Sequence, residues 1–147
     1  MTLSGDPGTY ILMIQLEDDA QIRIASLGMV QFRAGSYLYV GSALRGLEAR
    51  LARHLRQEKR LYWHIDYLLE RGTIREIWYH LGPQPLECVW ARALAGAAGI
   101  SPFPSPFGAS DCACHTHLFY SQTTPSLETH QTHLSGSPVA RDLRVPV

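Results

Sequence analysis

An α/β fold, with a small three-stranded, mainly antiparallel central sheet flanked by helices, is what this sequence predicts, on three observations. Residues 8–16, GTYILMIQL, carry the aliphatic and aromatic side chains of a strand. Residues 36–41, SYLYVG, alternate, with Ser36, Leu38 and Val40 facing one way and Tyr37, Tyr39 and Gly41 the other. After Gly41 the pattern turns helical: Leu44, Leu47, Leu51 and Leu55 recur at three- and four-residue steps, as in a helix laid on a sheet.

The remaining elements follow in order. Glu17, Asp18, Asp19 and Ala20 form a polar turn, and residues 21–27 alternate Ile22 and Ile24 with Gln21 and Arg23, pairing with residues 8–16 as an antiparallel hairpin. Residues 17–35 are thus an extra hairpin-like insertion, expected to extend the sheet. Residues 60–71 form a second helix with Leu61, Ile65, Leu68 and Leu69 inward and Gly72 as a left-handed cap. Residues 73–81 are a short strand. Pro83 and Pro85 break the chain before a third helix that carries Glu87 in its first turn and ends at Gly99. The proline-rich run 101–108 is expected to be a loop, and HTHLFY, residues 115–120, a last short strand. Ser, Thr, Pro and His dominate residues 121–147, which are expected to form a poorly ordered tail behind a domain spanning 1–120.

With 147 residues, 46% of them hydrophobic, the chain has material for one core. No run approaches the roughly 18 to 20 apolar residues that span a bilayer, and the N-terminus lacks a basic region followed by an apolar one. A soluble, cytoplasmic protein is expected. Three cysteines, two of them in Cys112-x-Cys114, suit reducing cytosol better than a secreted disulfide framework. Formal net charge is zero, but Arg45, Arg50, Arg53, Arg56, Lys59 and Arg60 cluster against Glu48 and Glu58 alone. On a helical wheel Arg50 and His54 fall beside Leu47, toward the sheet, while Arg53 and Arg56 fall toward solvent.

Gly8-Thr9-Tyr10 and Tyr39-Val40-Gly41, followed by Ser42, Leu47, Arg50, His54 and, at a helix start, Glu87, resemble the motifs of the GIY-YIG endonuclease superfamily, in particular its Uri-like branch. The stretches 63–67, WHIDY, and 110–118, with Cys112, Cys114, Thr116 and His117, resemble that branch too. Thr9 replaces the usual isoleucine with another β-branched residue. The superfamily's late asparagine is not evident after Glu87. The resemblance covers residues 8–120 and implies a GIY-YIG-like fold and divalent-metal-dependent hydrolysis of DNA phosphodiester bonds, with DNA repair as a setting suggested by association.

The residue types suit that chemistry, which must neutralise phosphate charge, activate water and stabilise the leaving oxygen. By the resemblance Tyr10, Tyr39, Arg50, His54 and Glu87 are the expected catalytic residues. Glu87 would ligate Mg²⁺ or Mn²⁺. Arg50 would hold phosphate with its planar fork. Tyr10 would act as general base, which requires its pKa to be lowered by the metal or by Arg50. Tyr39 and His54 would hydrogen-bond to water or phosphate. Gly41, Ser42, Arg45, Arg53 and His64 are expected to contact substrate, the arginines through the DNA backbone in a salt-sensitive way. Outside the ordered set each residue is commonplace: tyrosines pack in strands, arginines coat helices, and an early glutamate complements a helix dipole. Cys112, Cys114, His115 and His117 lack the spacing of a zinc site and suggest a structural or substrate-shaping motif. The alternative to an enzyme is a catalytically inactive nucleic-acid-binding module on the same scaffold.

Overall fold

The structure, a computed structural model, describes residues 5–108 and 114–142. Its strands are β1 (Gly8–Leu16), β2 (Ala20–Ile24), β3 (Gly28–Phe32), β4 (Gly35–Ala43), β5 (Thr73–Leu81), β6 (Ser101–Pro102), β7 (Leu118–Ser121) and β8 (Val139–Asp142). The helices are α1 (Leu47–Leu55), α2 (His64–Leu69), α3 (Glu87–Ala95) and α4 (Leu127–His130). Six strands form one sheet in the order β6-β7-β4-β1-β5-β8, every neighbouring pair antiparallel.

The expected three-stranded sheet is therefore wrong. The reason lies in β1, whose side chains are apolar on both faces: Tyr10, Leu12, Ile14 and Leu16 enter one core, Ile11 and Met13 the other. A strand with no polar face belongs in the middle of a sheet covered on both sides. Here β4 and β5 flank it, α1 and α2 pack on one face through Leu47, Leu51, Ile65 and Leu68, and α3 covers the other through Trp90 and Leu94.

The insertion does not extend this sheet. β2 pairs with β3 rather than with β1, giving a separate two-stranded ribbon. Its apolar positions, Ile22, Ile24, Val30 and Phe32, are buried in the first core, while Gln21, Arg23 and Gln31 face out. A ribbon polar on one face lies over the core as a cover.

Helix boundaries also shift. α1 starts at Leu47, after Gly46 at φ 133°, so Leu44 stands outside it and is 77% exposed. Lys59 turns back to donate its ammonium to the carbonyls of Arg53 and His54 in the last turn of α1. α2 has only six residues. Gly72 is not left-handed; a Cβ there would lie 2.7 Å from Ile14 Cγ2, so the glycine allows close approach to β1. α3 ends at Ala95 with Gly96 as its cap, short of Gly99. Ser101 and Pro102, expected in a loop, add the edge strand β6 to β7.

The expected tail is folded at least to residue 142. Leu127 and Leu134 are buried against Trp78 and Trp90 in the second core, and β8 pairs with β5. Short apolar anchors spaced among polar residues gave no periodic signal. None of the described helices is long and apolar enough to cross a membrane.

One polar cluster ties α1 to α2. Asp66 is fully buried, and its carboxylate accepts from both terminal nitrogens of Arg53 at 2.8 and 2.9 Å and from the backbone N–H of Tyr62 and Trp63. Burial pushes the Asp66 carboxyl up, but Arg53 and the two backbone donors outweigh it and hold it below the usual range. Arg53, expected to face solvent and substrate, is thereby committed to the fold. Asp66→Ala strands that guanidinium and two donors and should cost about 3 kcal/mol. Urea unfolding measures it, and an unchanged midpoint would refute the role.

Candidate active site

The register of β1 on β4 places the two tripeptides face to face. Gly8 opposes Ala43, Thr9 opposes Ser42, and Tyr10 opposes Gly41. Gly41 is needed for the tyrosine: a Cβ built there would lie 2.5 Å from the Tyr10 hydroxyl oxygen. The phenol therefore lies across the backbone of β4, a position that any side chain at 41 would deny it. The close approach at Gly41 is made by Tyr10.

Tyr10 continues into α1. Its hydroxyl meets His54 Nε2 at 2.6 Å, with both residues almost wholly buried. Burial raises the Tyr10 pKa, opposed by the Arg50 guanidinium, and pushes the His54 imidazole down to about 3. The folded chain thus holds a neutral phenol against a neutral imidazole, burial outweighing the lowering that Arg50 supplies. Tyr39, two residues before Gly41, is also raised by burial, and its ring stands edge-on to His54 and Phe107.

Arg50 is half-buried, one turn before His54. It donates to the Ser42 carbonyl at 2.9 Å and stacks on the Trp63 indole, its Cζ 4.5 Å from the ring centroid. Arg53 stacks on the same indole at 4.2 Å. Trp63 thus fixes the plane of Arg50, a role the sequence reading did not give it.

Glu87 enters from the first turn of α3. Oε1 accepts from the Ser42 hydroxyl at 2.5 Å, and Oε2 lies 2.8 Å from Nδ1 of His117. The second contact lies off the line of a hydrogen bond from Nδ1. Its length still marks the two as partners. Burial pushes the Glu87 carboxyl up, but His117 and Ser42 outweigh it, and the carboxyl is held below the usual range. It is an anion at neutral pH.

These groups open on one cleft of about 910 Å³, lined by Tyr10, Tyr39, Gly41, Ser42, Arg50, His64, Glu87 and His117 among others. His54 does not line it and stands behind Tyr10. His64 reaches the wall with Nδ1 accepting from the Gly108 N–H. Leu44 and Tyr62, both exposed, stand at the rim. Arg45 is exposed, but Arg53 is spent on Asp66. The site brings together the expected Tyr10, Tyr39, Arg50, His64 and Glu87. The sequence reading missed Trp63, Asp66 and His117 as parts of its frame, the last being grouped with the cysteines by proximity in the chain.

Could the chain hold a divalent ion here? Glu87 is an ionised oxygen donor facing an open cleft, and each of its oxygens has one protein partner, leaving lone pairs free. One carboxylate with water completing the shell fits magnesium or manganese. A second grouping fits less well. Cys88, Cys114 and His117 present donor atoms within 4.8 Å of one another, but Cys88 is disulfide-bonded and its sulfur is not a thiolate. His117 is also already turned to Glu87. Cys112 lies outside the described residues, and His115 instead contacts the Pro104 carbonyl.

Against this geometry stand the comparisons. The chain belongs to the family described as Domain of unknown function DUF123, which matches residues 9–137. No curated protein and no solved structure matches it.

Two outcomes follow from the Tyr10 frame. Gly41→Ala should displace the phenol and destabilise the fold by about 2 kcal/mol, read by thermal or urea unfolding; an unaltered midpoint would contradict the close approach. The second concerns pH. The unfolded chain protonates His54 below about 6.5, whereas the folded chain resists until about 3. Stability from the neutral imidazole is complete above the upper value and is lost as pH falls toward the lower. His64 and His130 shift in the same direction. Against that background His54→Gln should remove about one proton from the uptake on unfolding near pH 5. Equal pH slopes in the two proteins would count against it.

Proposed function

We propose that this DUF123-family protein is a divalent-metal-dependent endonuclease that hydrolyses phosphodiester bonds in DNA. The observation that carries the proposal is the convergence of Tyr10, Arg50 and Glu87 on one cleft, with His54 hydrogen-bonded behind the tyrosine. The residues come from a strand and from helices distant in the chain. Their order and spacing resemble the GIY-YIG superfamily, and a packing explanation gives no reason for a phenol, a guanidinium and a carboxylate to share an opening.

In the proposed reaction Arg50 holds the scissile phosphate, its guanidinium plane set by Trp63 and the Ser42 carbonyl. Its fixed charge offsets the anionic oxygens that repel a nucleophile. A Mg²⁺ or Mn²⁺ ion on Glu87 would supply Lewis-acid stabilisation and favour ionisation of water. Tyr10 need not start as a phenolate. Its oxygen accepts a proton from the attacking water while its own proton passes to His54 Nε2, which lies 2.6 Å away. The water oxygen bonds to phosphorus, the bond to the leaving oxygen breaks and that oxygen takes a proton from solvent, while His54 returns its proton to the tyrosine oxygen as the proton taken from water leaves to solvent. The products are a phosphate monoester and an alcohol.

Exposed Arg45, Arg56 and Arg60 offer sequence-independent contacts to the DNA backbone, which would make affinity fall with salt. DNA repair is a setting the resemblance suggests; the cleft itself does not choose among strand structures.

The test is cleavage of labelled single-stranded, duplex and flapped DNA in Mg²⁺ or Mn²⁺. Glu87→Ala, Arg50→Ala and Tyr10→Phe are each expected to lower kcat/KM at least about a hundredfold, the loss typical of removing one electrostatic or acid–base group. Binding that persists in all three with no cleavage by the parent would instead establish an inactive DNA-binding module. A Glu87→Ala variant that cuts as well as the parent would refute the site.

A further inference from the structure

Glu87 has three rotatable side-chain bonds and sits where its helix begins, so nothing in its own element fixes where the carboxylate points. The fixing comes from two other parts of the sheet. Ser42 lies in β4, and His117 immediately precedes β7, the strand paired with β4. The backbone of His117 is tied on both sides: its carbonyl accepts from Val40 N–H, and its N–H donates to the Phe107 carbonyl. Its ring is 1% exposed. It therefore cannot follow Glu87; Glu87 must come to it.

A buried imidazole serving only the core would be expected to find partners there for both nitrogens. His117 does not. Nε2 has no hydrogen-bond partner among the described residues, and the charged side chain that meets the ring is Glu87, at Nδ1. Burying a nitrogen unsatisfied costs free energy. What it provides in exchange is a fixed ring nitrogen 2.8 Å from one carboxylate oxygen, while Ser42 holds the other. The remaining lone pairs of Glu87 are then presented to the cleft that Arg50 and Tyr10 line.

We infer that His117 is the positioning residue of the site: through its Nδ1 contact it holds the Glu87 carboxylate in the orientation that binds a divalent cation. This rests on the reading of Glu87 as a metal ligand. It is the same division of labour as in metal sites where a partner that does not touch the ion orients a ligand that does.

Mn²⁺ binding, followed by electron paramagnetic resonance of the unbound ion, tests this without relying on turnover. His117→Leu should weaken Mn²⁺ binding by about 10- to 100-fold, the usual loss for an orienting partner. His117→Asn, whose side-chain amide returns a donor near the Nδ1 position, should recover most of it. In cleavage assays the same pair should differ in the metal concentration that gives half-maximal rate, with KM for DNA unchanged. Thermal unfolding of both variants separates folding from positioning: His117→Asn is expected to be destabilised yet to bind Mn²⁺ nearly as the parent does. Should His117→Leu not fold, the asparagine variant decides alone. An asparagine variant that folds but binds as weakly as Glu87→Gln overturns the inference, as does a leucine variant that binds as the parent does. A parent that binds Mn²⁺ through Glu87 yet cuts no DNA would sink the nuclease proposal and leave this one standing.

Discussion

The antiparallel register between β1 and β4 is the constraint on which the rest depends. Because Tyr10 faces Gly41, the phenol can cross the neighbouring strand and reach His54. Because Thr9 faces Ser42, the serine stands one step further along, where it meets Arg50 through its carbonyl and Glu87 through its hydroxyl. A slip of one residue would turn Tyr10 to the other face and into the Trp78 and Trp90 core. Both faces of β1 are packed with large apolar side chains, so such a slip would cost the whole core. The site borrows its accuracy from hydrophobic packing.

Its electrostatics are arranged by burial and by partnership in opposite senses. His54 and Tyr10 are kept neutral because burial outweighs what Asp66 offers an imidazolium and what Arg50 offers a phenolate. Asp66 and Glu87 face the same desolvation and remain anionic, because each carboxylate has donors on both oxygens. Trp63 lies between these regimes. Its backbone N–H caps Asp66 and its ring carries Arg50 and Arg53, so the indole joins the structural ion pair to the cleft.

Much of the site was legible because the chemistry-bearing residues sit at positions where local pattern also speaks. Tyr10 and Tyr39 lie in strands with clear alternation, and Arg50 and His54 lie on a helix face that the leucine spacing defines. What failed was long-range. The sequence of β1 shows a doubly buried strand but not which strands flank it, so the sheet was undercounted and β2 was paired with the nearest neighbour in the chain. Arg53 looked like a solvent residue by wheel position alone, since its partner is thirteen residues away and reached only after a turn. His117 was read among cysteines because they are adjacent in sequence, whereas its working partner comes from α3. Residues 127–142 carry too few apolar side chains for a periodic signal, yet Leu127 and Leu134 suffice once a preformed surface exists to receive them.

The strand order also bears on how this protein avoids its own kind. An open sheet ends in two rows of unpaired backbone groups, and each is an invitation to another chain. On one side the sheet ends in β6, two residues long, of which Pro102 has no N–H to offer. On the other, β8 covers the exposed flank of β5, a nine-residue strand that would otherwise present a long pairing surface. The last described segment is thus a guard against strand addition. A chain shortened before residue 139 would keep every residue of the cleft and uncover β5, and its characteristic fault would be self-association rather than loss of the site.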